Sequence, residues 1–456
     1  MDERFAGTAV IEADACVAGA GFAGLVAARN LARAELSVVL VEARDRVGGR
    51  TLTQHVDDVP IELGGTWIGA GQDHVYALAA EYGKTTHPTF ETGDKLFVNG
   101  AEIRRYRRSV NEVADGAADM GQALRLLDAM AAELPEDAPW DAPRAREWDR
   151  TTTSAWLSAL DIHPQAGAQL ESWLITLFTA DLCEVSLLQT LYLIRSAGSI
   201  RTLLATQGGY QQDHVDTGTH SIASAIAEEL GDIVRCGVRV HTVAQTSDGV
   251  RVVADELIVK AQRAVIAVPL ALAGSLRYDP PLPLEREFLH QRALSGSVCK
   301  TVAVYESPFW REQGLSGESF SFDHEIVLTM DTSPVDARLG VLMCFVVGPA
   351  ANRFGELAPS ERRGVVLDSM VARFGPPAAE PIELFERDWG REEFSRGGYM
   401  AHFPPGTLTQ YGRAISRPWG RVHWAGAETS HVSLGAIDGA IRSGERAARE
   451  VLDALE

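Results

Sequence analysis

A glycine-rich turn between an apolar run and an amphipathic segment is the feature that most restricts how this chain can fold. Gly19, Gly21 and Gly24 form the pattern G-x-G-x-x-G, preceded by DACVAG and followed by LVAARNLARA. The apolar run is typical of a buried strand, and the apolar spacing after the turn is typical of a helix. Such a turn brings bare backbone and a helix N-terminus close to a pyrophosphate. The segment therefore predicts the first half of a βαβ unit that binds a dinucleotide.

A single acid, Glu42, ends the next apolar run, LSVVLVE. Its spacing from Gly19 is close to the interval of about 20 residues between the glycines and the ribose-binding acid of dinucleotide folds. A carboxylate at this place accepts hydrogen bonds from ribose hydroxyls. Because strand, turn, helix, strand and acid occur in the required order, a dinucleotide site is favoured over a chance glycine loop.

Length and composition fit a globular protein of two domains that share a large core. The 456 residues are 46% hydrophobic and 23% charged, and the formal net charge is −20. This charge argues against nucleic acid or an acidic membrane as a partner. The start, MDERFAGTAVIEADA, lacks the pattern of a signal peptide, and no run of about 18 apolar residues occurs. The sequence thus predicts a cytoplasmic protein without a membrane span. The cysteines have neither metal-binding nor disulfide spacing: Cys16, Cys183, Cys236, Cys299 and Cys344.

The segment after Glu42, ARDRVGGRT, favours FAD over NAD as the dinucleotide. It resembles the segment that follows the ribose acid in FAD-dependent amine oxidases. The resemblance implies that the backbone of Gly48 and Gly49 and the side chain of Arg50 meet the phosphates and the ribityl chain. A guanidinium is well suited to a pyrophosphate. Without this context, a surface salt bridge would be the preferred interpretation of Arg50.

Further segments extend the resemblance to the flavin monoamine oxidase family over nearly the whole chain. They are ELGGTWIG (62–69), GVRVHTV (237–243), RVHWAGAETS (421–430) and GAIDGAIRSGERAARE (435–450). The last implies a helix whose N-terminus points at the flavin pyrimidine ring, where it stabilises the anionic reduced form. The cofactor-binding residues implied by motif and resemblance are Gly19, Gly21, Phe22, Ala23, Gly24, Glu42, Ala43, Arg44, Gly48, Gly49, Arg50, Gly64, Gly65, Thr66, Trp67, Val238, Trp389, Gly426, Glu428, Ala436 and Ile437.

The family's fold is an α/β fold in which a Rossmann-like FAD-binding domain of the GxGxxG type is interleaved with an α+β substrate-binding domain. The resemblance implies an FAD-binding domain at 1–82, 210–288 and 392–456, and a substrate-binding domain at 83–209 and 289–391. The apolar pattern predicts helices within 111–135 and 166–195. It predicts strands at 256–269, 301–306 and 341–348.

Lys300 lies in RALSGSVCKTVAVYESPFWRE, which resembles the segment that carries a lysine towards flavin N5. The resemblance implies that Lys300 holds a water there and assists the reaction of the reduced flavin with oxygen. The alternative is a lysine on an edge strand that faces solvent.

Tyr399, in EFSRGGYMAHFPPG, matches one wall of the aromatic cage that aligns the amine in monoamine oxidases. Gly398 stands where the animal enzymes attach FAD through a cysteine, so the resemblance implies non-covalent FAD. Ala436 stands where the second aromatic wall is expected, which implies a wider space beside the flavin. Trp389 resembles the tryptophan that packs against the flavin ring.

The remaining pocket walls implied by the resemblance are mostly apolar, as suits a compact uncharged amine. The predicted substrate-pocket residues are Phe90, Phe178, Thr202, Leu203, Tyr210, Met330 and Phe345, together with Tyr399 and Ala436. Putrescine oxidases are also similar to this chain, but Leu328 stands where they keep a carboxylate for the distal ammonium. A diamine is therefore disfavoured against an alicyclic or aryl-alkyl primary monoamine.

The predicted reaction is the oxidation of a primary amine by hydride transfer to flavin N5, with oxygen as the final acceptor. The imine then hydrolyses to an aldehyde or ketone plus ammonia, and hydrogen peroxide is formed. Activity should rise at alkaline pH, because the free amine is the reactive form. No second G-x-G-x-x-G motif is present for a nicotinamide donor, and no metal site is predicted. A homodimer is compatible with this interpretation. The alternatives are an oxidase of L-amino acids, diamines or cyclic secondary amines, a flavin desaturase, and a non-catalytic flavin-binding protein.

Overall fold

The structure, a computed structural model, describes residues 9–109 and 112–456. Residues 1–8, which begin the acidic N-terminal stretch, and residue 111, which begins the predicted helical segment 111–135, lie outside this range. The strands are β1 (Ala9–Ala18), β2 (Val38–Val41), β3 (Thr53–Val56), β4 (Val59–Glu62), β5 (Trp67–Ile68), β6 (Thr86–Pro88), β7 (Asp94–Asn99), β8 (Glu102–Tyr106), β9 (Asp213–Val215), β10 (Val234–Arg235), β11 (Val240–Gln245), β12 (Val250–Ala254), β13 (Leu257–Ile266), β14 (Arg277–Asp279), β15 (Leu294–Ser295), β16 (Val298–Tyr305), β17 (Leu315–Ser321), β18 (Leu328–Asp331), β19 (Gly340–Val347), β20 (Glu383–Asp388), β21 (Ala401–His402) and β22 (Val422–Trp424).

The α-helices are α1 (Phe22–Arg33), α2 (Asp73–Glu81), α3 (Ala117–Ala132), α4 (Ala145–Arg150), α5 (Thr153–Ser158), α6 (Pro164–Phe178), α7 (Leu187–Ala197), α8 (Ile200–Leu204), α9 (His220–Leu230), α10 (Leu270–Ala273), α11 (Leu284–Arg292), α12 (Phe309–Glu312), α13 (Gly348–Glu356), α14 (Pro359–Phe374), α15 (Leu408–Tyr411) and α16 (Ile437–Asp453). Short 3₁₀ turns occur at Pro139–Asp141, Gly231–Ile233, Pro376–Ala379, Gly412–Ala414 and Ala427–Thr429.

The first sheet contains the predicted βαβ unit. Its order is β10-β2-β1-β13-β12-β11-β14, with β22 beside β13, and β1 is parallel to both β2 and β13. Helix α1 connects β1 to β2 and begins directly after the glycine turn. A Cβ on Gly24 would lie 1.8 Å from the carbonyl oxygen of Gly19, so this glycine lets the helix pack against the turn.

The second sheet has the order β20-β16-β19-β18-β17-β7-β8. Lys300 lies on β16, between Phe345 of β19 and Arg387 of β20. Its side chain is 1% exposed. The alternative of an edge-strand lysine in solvent is therefore wrong.

The two sheets are formed by chain segments that the sequence assigned to different domains. Every strand of the first sheet falls within 1–82, 210–288 or 392–456, and every strand of the second falls within 83–209 or 289–391. The division into domains stays a prediction.

The predicted helical segment 166–195 forms two helices, α6 and α7, because Thr179 ends α6 in a left-handed conformation (φ 53°) and Ser186 caps the start of α7.

Three buried histidines make the stability of this fold sensitive to acid. Burial is the main cause that lowers the pKa of His214 and of His290 to about 3 and that of His402 to about 4. An unfolded histidine takes up a proton near pH 6.5. The free energy of unfolding should therefore fall as the pH drops from about 6.5 towards the lowered values, by up to about 1.4 kcal/mol per pH unit for each histidine.

Urea unfolding between pH 8 and pH 5 tests this expectation on one group. Neither ring nitrogen of His402 has a hydrogen-bond partner among the described residues. His402→Leu should therefore reduce the pH slope by one proton. His55→Gln, at an exposed histidine, should leave the slope unchanged, and an equal effect of both variants would contradict the assignment.

Candidate active site

A single large cavity of about 990 Å³ runs from the glycine turn of the first sheet to the face of the second sheet. All the predicted cofactor-binding residues line this cavity except Gly24, which lies at the contact between α1 and the glycine turn. The cavity also receives the first turn of α16, as the C-terminal motif predicted, since Ala436 and Ile437 are in its wall. Segments far apart in the chain thus meet around one elongated space.

Glu42 is held at the end of β2 with its carboxylate facing the glycine turn. Its Oε2 accepts a hydrogen bond from the backbone N–H of Ala20 (2.7 Å), and its Oε1 accepts one from the backbone N–H of Arg44 (2.9 Å). The Glu42 carbonyl oxygen accepts a bond from the N–H of Val238 (2.8 Å), which brings that residue to the same end of the cavity. The carboxylate is therefore fixed in orientation before any ligand is bound.

Arg50 links the first motif to the C-terminal motif. Its Nη1 and Nη2 donate to Oε1 and Oε2 of Glu428 at 2.7 and 3.0 Å, and Nη1 also donates to the carbonyl oxygen of Tyr399 (2.6 Å). Burial alone would raise the pKa of Glu428, but the charge and hydrogen bonds of Arg50 outweigh this and leave that pKa below its usual range. The surface salt bridge considered for Arg50 is thus an inward, bidentate pair at the cavity wall.

Lys300 reaches from the second sheet to the loop that follows β4. Its Nζ donates to the carbonyl oxygen of Gly64 (3.1 Å) and to the hydroxyl oxygen of Thr66. The ammonium also lies 5.5 Å from the ring centres of Trp67 and Phe345. Burial lowers the pKa of Lys300, and the charge of Glu62 raises it only in part. A lysine in such a site can exchange a proton near neutral pH.

His214 lies behind Trp67, outside the cavity lining, and the sequence did not indicate it. Its Nε2 accepts a hydrogen bond from the indole Nε1 of Trp67 (3.1 Å), and its ring stacks on His87 at 5.3 Å. The acceptor role requires a neutral ring, which agrees with the lowered pKa of His214. The pairing of β5 with β9 brings the rings of Trp67 and His214 together. A three-residue strand such as β9 has no clear signal in the sequence, so this contact could not be predicted.

Tyr399 and Trp389 stand in the cavity wall near the second sheet. The ring of Tyr399 meets that of Phe345 edge-on at 5.9 Å, and burial raises the pKa of its phenol, so the hydroxyl is neutral. The indole of Trp389 is fixed by a hydrogen bond from Nε1 to the carbonyl oxygen of Leu63 (2.8 Å). Ala436 brings only a methyl group to the wall, and no second aromatic ring is supplied at this position.

The predicted pocket walls divide into two groups. Leu203, Tyr210, Met330 and Phe345 line the cavity. Among the described residues, three predicted walls are absent from its lining for identifiable reasons. Phe90 packs beneath the guanidinium of Arg311 (3.8 Å), Phe178 is enclosed in the helical core, and the Thr202 hydroxyl pairs with that of Ser199.

Further walls are absent from the predicted pocket, although Leu328 had been matched to the carboxylate position of putrescine oxidases. Trp173 of α6 reaches the cavity because it packs against Phe320 of the second sheet. Phe320 and Leu328 are cross-strand neighbours on β17 and β18, and Leu328 is next to Phe345 on β19. These additional walls are Trp173, Thr176, Leu177, Leu193, Phe320, Leu328, Met400 and Leu434.

The cavity end beyond Phe320 is polar. Lys95 on β7 pairs with Glu91 (2.9 Å) and with Glu318 (2.6 Å), and Tyr106 donates its hydroxyl to Glu318 (3.3 Å). These four side chains all line the cavity. Glu318 lies on β17, three strand spacings from β16, or about 14 Å from the strand of Lys300.

The glycine turn and Glu42 continue into a cavity with aromatic walls and a buried lysine, an arrangement that suits an oxidoreductase of flavin type. Residues 22–452 match the family described as flavin containing amine oxidoreductase, and the chain belongs to this family. The protein is therefore a flavin-containing amine oxidase.

Named proteins similar to this chain extend along nearly all of it. A putative flavin-containing monoamine oxidase of Mycobacterium tuberculosis is 38% identical over 96% of both chains. A putrescine oxidase of Kocuria rosea is 35% identical over 99% of this chain and 98% of its own length. The structure of a cyclohexylamine oxidase from Brevibacterium oxydans superposes with a TM-score of 0.93 at 31% identity, covering 97% of this chain and 99% of that one.

Two kinds of feature are absent from the part of the chain that the structure describes. No helix in 9–109 or 112–456 is long and apolar enough to cross a membrane. In the same ranges, no group of three or more His, Cys, Asp or Glu side chains is arranged to hold a metal ion.

Proposed function

We propose that this protein is an FAD-dependent oxidase of a compact apolar primary monoamine, with FAD bound non-covalently. The products would be ammonia, an aldehyde or ketone, and hydrogen peroxide. The observation that carries the substrate proposal is the run of apolar walls beside Lys300. It consists of Phe345, Leu328, Phe320 and Met330, and Tyr399 also lines the cavity.

FAD fits the residues that are present. Gly21 leaves open space, since a Cβ there would meet only Gly49 within 4 Å, at 3.9 Å, whereas a Cβ on Gly49 would lie 3.1 Å from Gly21. Helix α1 offers backbone donors for a pyrophosphate, Glu42 offers acceptors for ribose, and the start of α16 offers donors for the flavin ring. Gly398 supplies no thiol, which supports non-covalent binding. When bound, FAD supplies a two-electron acceptor that oxygen can reoxidise.

The residues of the chain act on the amine in three ways. The aromatic and aliphatic walls exclude water and favour the neutral form of the substrate, because burial lowers the pKa of a bound ammonium. The Tyr399 ring, fixed against Phe345, orients the amine end. The amino group of Lys300, which donates hydrogen bonds to Gly64 O and Thr66 Oγ1, can exchange a proton at the same end of the cavity. Activity should therefore rise from neutral to alkaline pH.

Anaerobic spectroscopy of the purified enzyme tests the proposal directly. Cyclohexylamine, benzylamine, putrescine, spermidine and an L-amino acid would be added separately while the flavin absorbance is followed. Rapid bleaching by a monoamine supports the proposal. Bleaching by the amino acid or a diamine alone would refute the substrate class but keep the oxidase, and no bleaching by any amine would refute the activity.

A second candidate, the oxidation of a long polyamine, is favoured by the polar end of the cavity. Glu91 and Glu318 face that end and both pair with Lys95, and Arg107 and Arg108 also line the cavity. Putrescine is much shorter than the lateral separation of about 14 Å between the strands that carry Glu318 and Lys300, and spermidine is the longer of the two amines. The inclusion of both amines in the spectroscopic test separates the two cases.

Leu328→Glu should convert the preference from monoamine towards putrescine. A carboxylate between Phe320 and Phe345 would pair with the distal ammonium of putrescine. An apolar ring would strip water from this carboxylate without pairing with it, and this cost would weaken the binding of cyclohexylamine. We expect the ratio of kcat/KM for putrescine to that for cyclohexylamine to rise at least about tenfold, or about 1.4 kcal/mol. Leu328→Gln, which has nearly the same shape but no charge, is the control. Equal ratios in both variants would contradict the charge argument.

A further inference from the structure

The loop after β4 carries the two acceptors that hold the amino group of Lys300. Gly64 offers its carbonyl oxygen, 3.1 Å from Nζ, and Thr66 offers its hydroxyl oxygen. Thr66 is only 3% exposed, and it lines the same cavity as the lysine. Of the acceptors bonded to Nζ in the described part of the chain, only the Thr66 hydroxyl belongs to a side chain.

The direction of the Thr66 hydroxyl is set by a second hydrogen bond. Its Oγ1 donates to the carbonyl oxygen of Gly64 at 3.0 Å. A carbonyl oxygen has two lone pairs and can accept from both the hydroxyl and the lysine. Because a hydroxyl has a single proton, and this proton is used on Gly64 O, the Thr66 oxygen can only accept from Lys300. Thr66 therefore favours the charged ammonium over the neutral amine.

Hydrogen bonds on both sides of the loop hold Thr66 in place. The backbone N–H of Gly65 donates to the carbonyl oxygen of Arg50 (3.1 Å), and the Gly65 carbonyl oxygen accepts from the hydroxyl of Thr219 (2.5 Å). Thr219 is itself completely buried, and its backbone N–H donates to Glu62 at the end of β4 (2.5 Å). The loop thus presents its acceptors to the lysine in a fixed orientation.

The remaining neighbours of the Lys300 ammonium do not bind it through directed hydrogen bonds. The ring centres of Trp67 and Phe345 lie 5.5 Å from Nζ, and an aromatic face attracts a cation without accepting a hydrogen bond from it. An ammonium has three N–H groups. With two of them bonded to the loop, one N–H is left for a group in the cavity, which Lys300 lines.

Titratable groups on other elements also surround Lys300. Burial lowers the pKa of Lys300, and the charge of Glu62 raises it in part. His214 and Tyr399 are neutral, because burial lowers the pKa of the first and raises that of the second. Arg387, the neighbour on β20, is charged. All four groups stay when only the hydroxyl is removed, so a change in the titration of the lysine reports the loss of this hydroxyl.

We propose that Thr66 is a positioning residue for Lys300, its hydroxyl oxygen fixing the ammonium so that one N–H remains for the cavity. The inference rests on the proposed role of Lys300 in amine oxidation, but its first test needs no turnover. If no amine were oxidised, the proposed function would fail, and the titration of Lys300 would still decide this inference.

Carbon-13 NMR of the flavin-loaded enzyme, labelled at lysine Cε, measures the contact. Four lysine signals are expected, and the Lys300 signal is identified by its absence in Lys300→Met. Thr66→Val replaces the hydroxyl by a methyl group of nearly the same shape, so the ammonium loses an acceptor. The midpoint of the Lys300 signal should therefore fall by about 1 to 2 pH units, the usual value of one hydrogen bond to a charged group.

Thr66→Ser keeps the hydroxyl and should leave the midpoint near that of the wild type. Thr301→Val is the matched control, because Thr301 is also buried and, as the next residue on β16, points to the opposite face of the strand. If Thr66→Val does not fold, Thr66→Cys supplies a poor acceptor and should lower the midpoint as well. An unchanged Lys300 midpoint in the variant that folds, or an equal fall in Thr301→Val, overturns the proposal.

The reaction of the reduced enzyme with oxygen gives a second readout, measured by stopped flow. Thr66→Val should slow it by about tenfold or more, and Thr66→Ser should restore most of the rate. Equal slowing in both variants would count against a role of the hydroxyl. Release of flavin from Thr66→Val with an unchanged Lys300 midpoint would show that Thr66 serves the cofactor alone, and would also overturn the proposal.

Discussion

Replacement of Lys300 by methionine should slow the reaction of the reduced enzyme with oxygen by at least about 100-fold, the usual lower size of a proton-transfer contribution. Methionine keeps most of the volume of the lysine side chain. It removes the amino group through which β16 donates hydrogen bonds to Gly64 O and Thr66 Oγ1. Reduction by the amine under anaerobic conditions should change by less than about tenfold, because the apolar walls remain. Stopped-flow measurement of the two half-reactions separates these effects.

The matched control is Lys260→Met, at an exposed lysine whose partner is Glu12 at 3.3 Å. It should alter neither half-reaction. Equal losses in both half-reactions of Lys300→Met would indicate damage to the site as a whole. An unchanged oxygen reaction would rule out the proposed role of Lys300.

Glu428→Gln should lower the free energy of unfolding by about 3 kcal/mol and weaken the retention of flavin. The variant leaves Arg50 in the cavity wall without its bidentate acceptor and leaves the backbone N–H of Ala401 with a poorer one. The loss of an isolated partner from a buried pair is costly because the remaining charge stays desolvated. Urea unfolding and the flavin absorbance remaining after gel filtration measure the two effects.

The same pair predicts a pH dependence with a definite sign. Since the folded protein holds the pKa of Glu428 below its ordinary value, the stabilisation is complete above about pH 4.3 and is lost as the pH falls through the lowered pKa. Glu12→Gln, which breaks the exposed pair with Lys260, should cost less than about 1 kcal/mol. If Glu428→Gln costs no more than Glu12→Gln, the Arg50 pair contributes no special stability.

The family comparison bears out the predicted fold class and the amine oxidase activity, while the roles assigned to residues of the local motifs stay predictions. The glycine turn, Glu42 and the start of α16 are each defined within one short segment, by spacing and by residues that a strand, a tight turn or a helix end requires. Nearly every residue predicted to bind the cofactor consequently lines one cavity.

Substrate walls were less well predicted, since they depend on which elements pack together. Phe90 and Phe178 have the right chemistry for a wall but are turned to Arg311 and to the helical core. Phe320 and Trp173, from β17 and α6, face the cavity instead. The packing of distant elements against one another decides this outcome, and such contacts leave no local signal in the sequence.

The sequence by itself determined that this chain builds a βαβ unit with a glycine turn and belongs with flavin amine oxidases, because those features depend on residues close together in the chain. Only the tertiary structure decided the surroundings of Lys300. Glu62, Thr219 and Lys300 are separated by long stretches of sequence and meet through the loop after β4. Burial, which shifts the proton affinity of a lysine, is a property of this assembled packing and of no single segment.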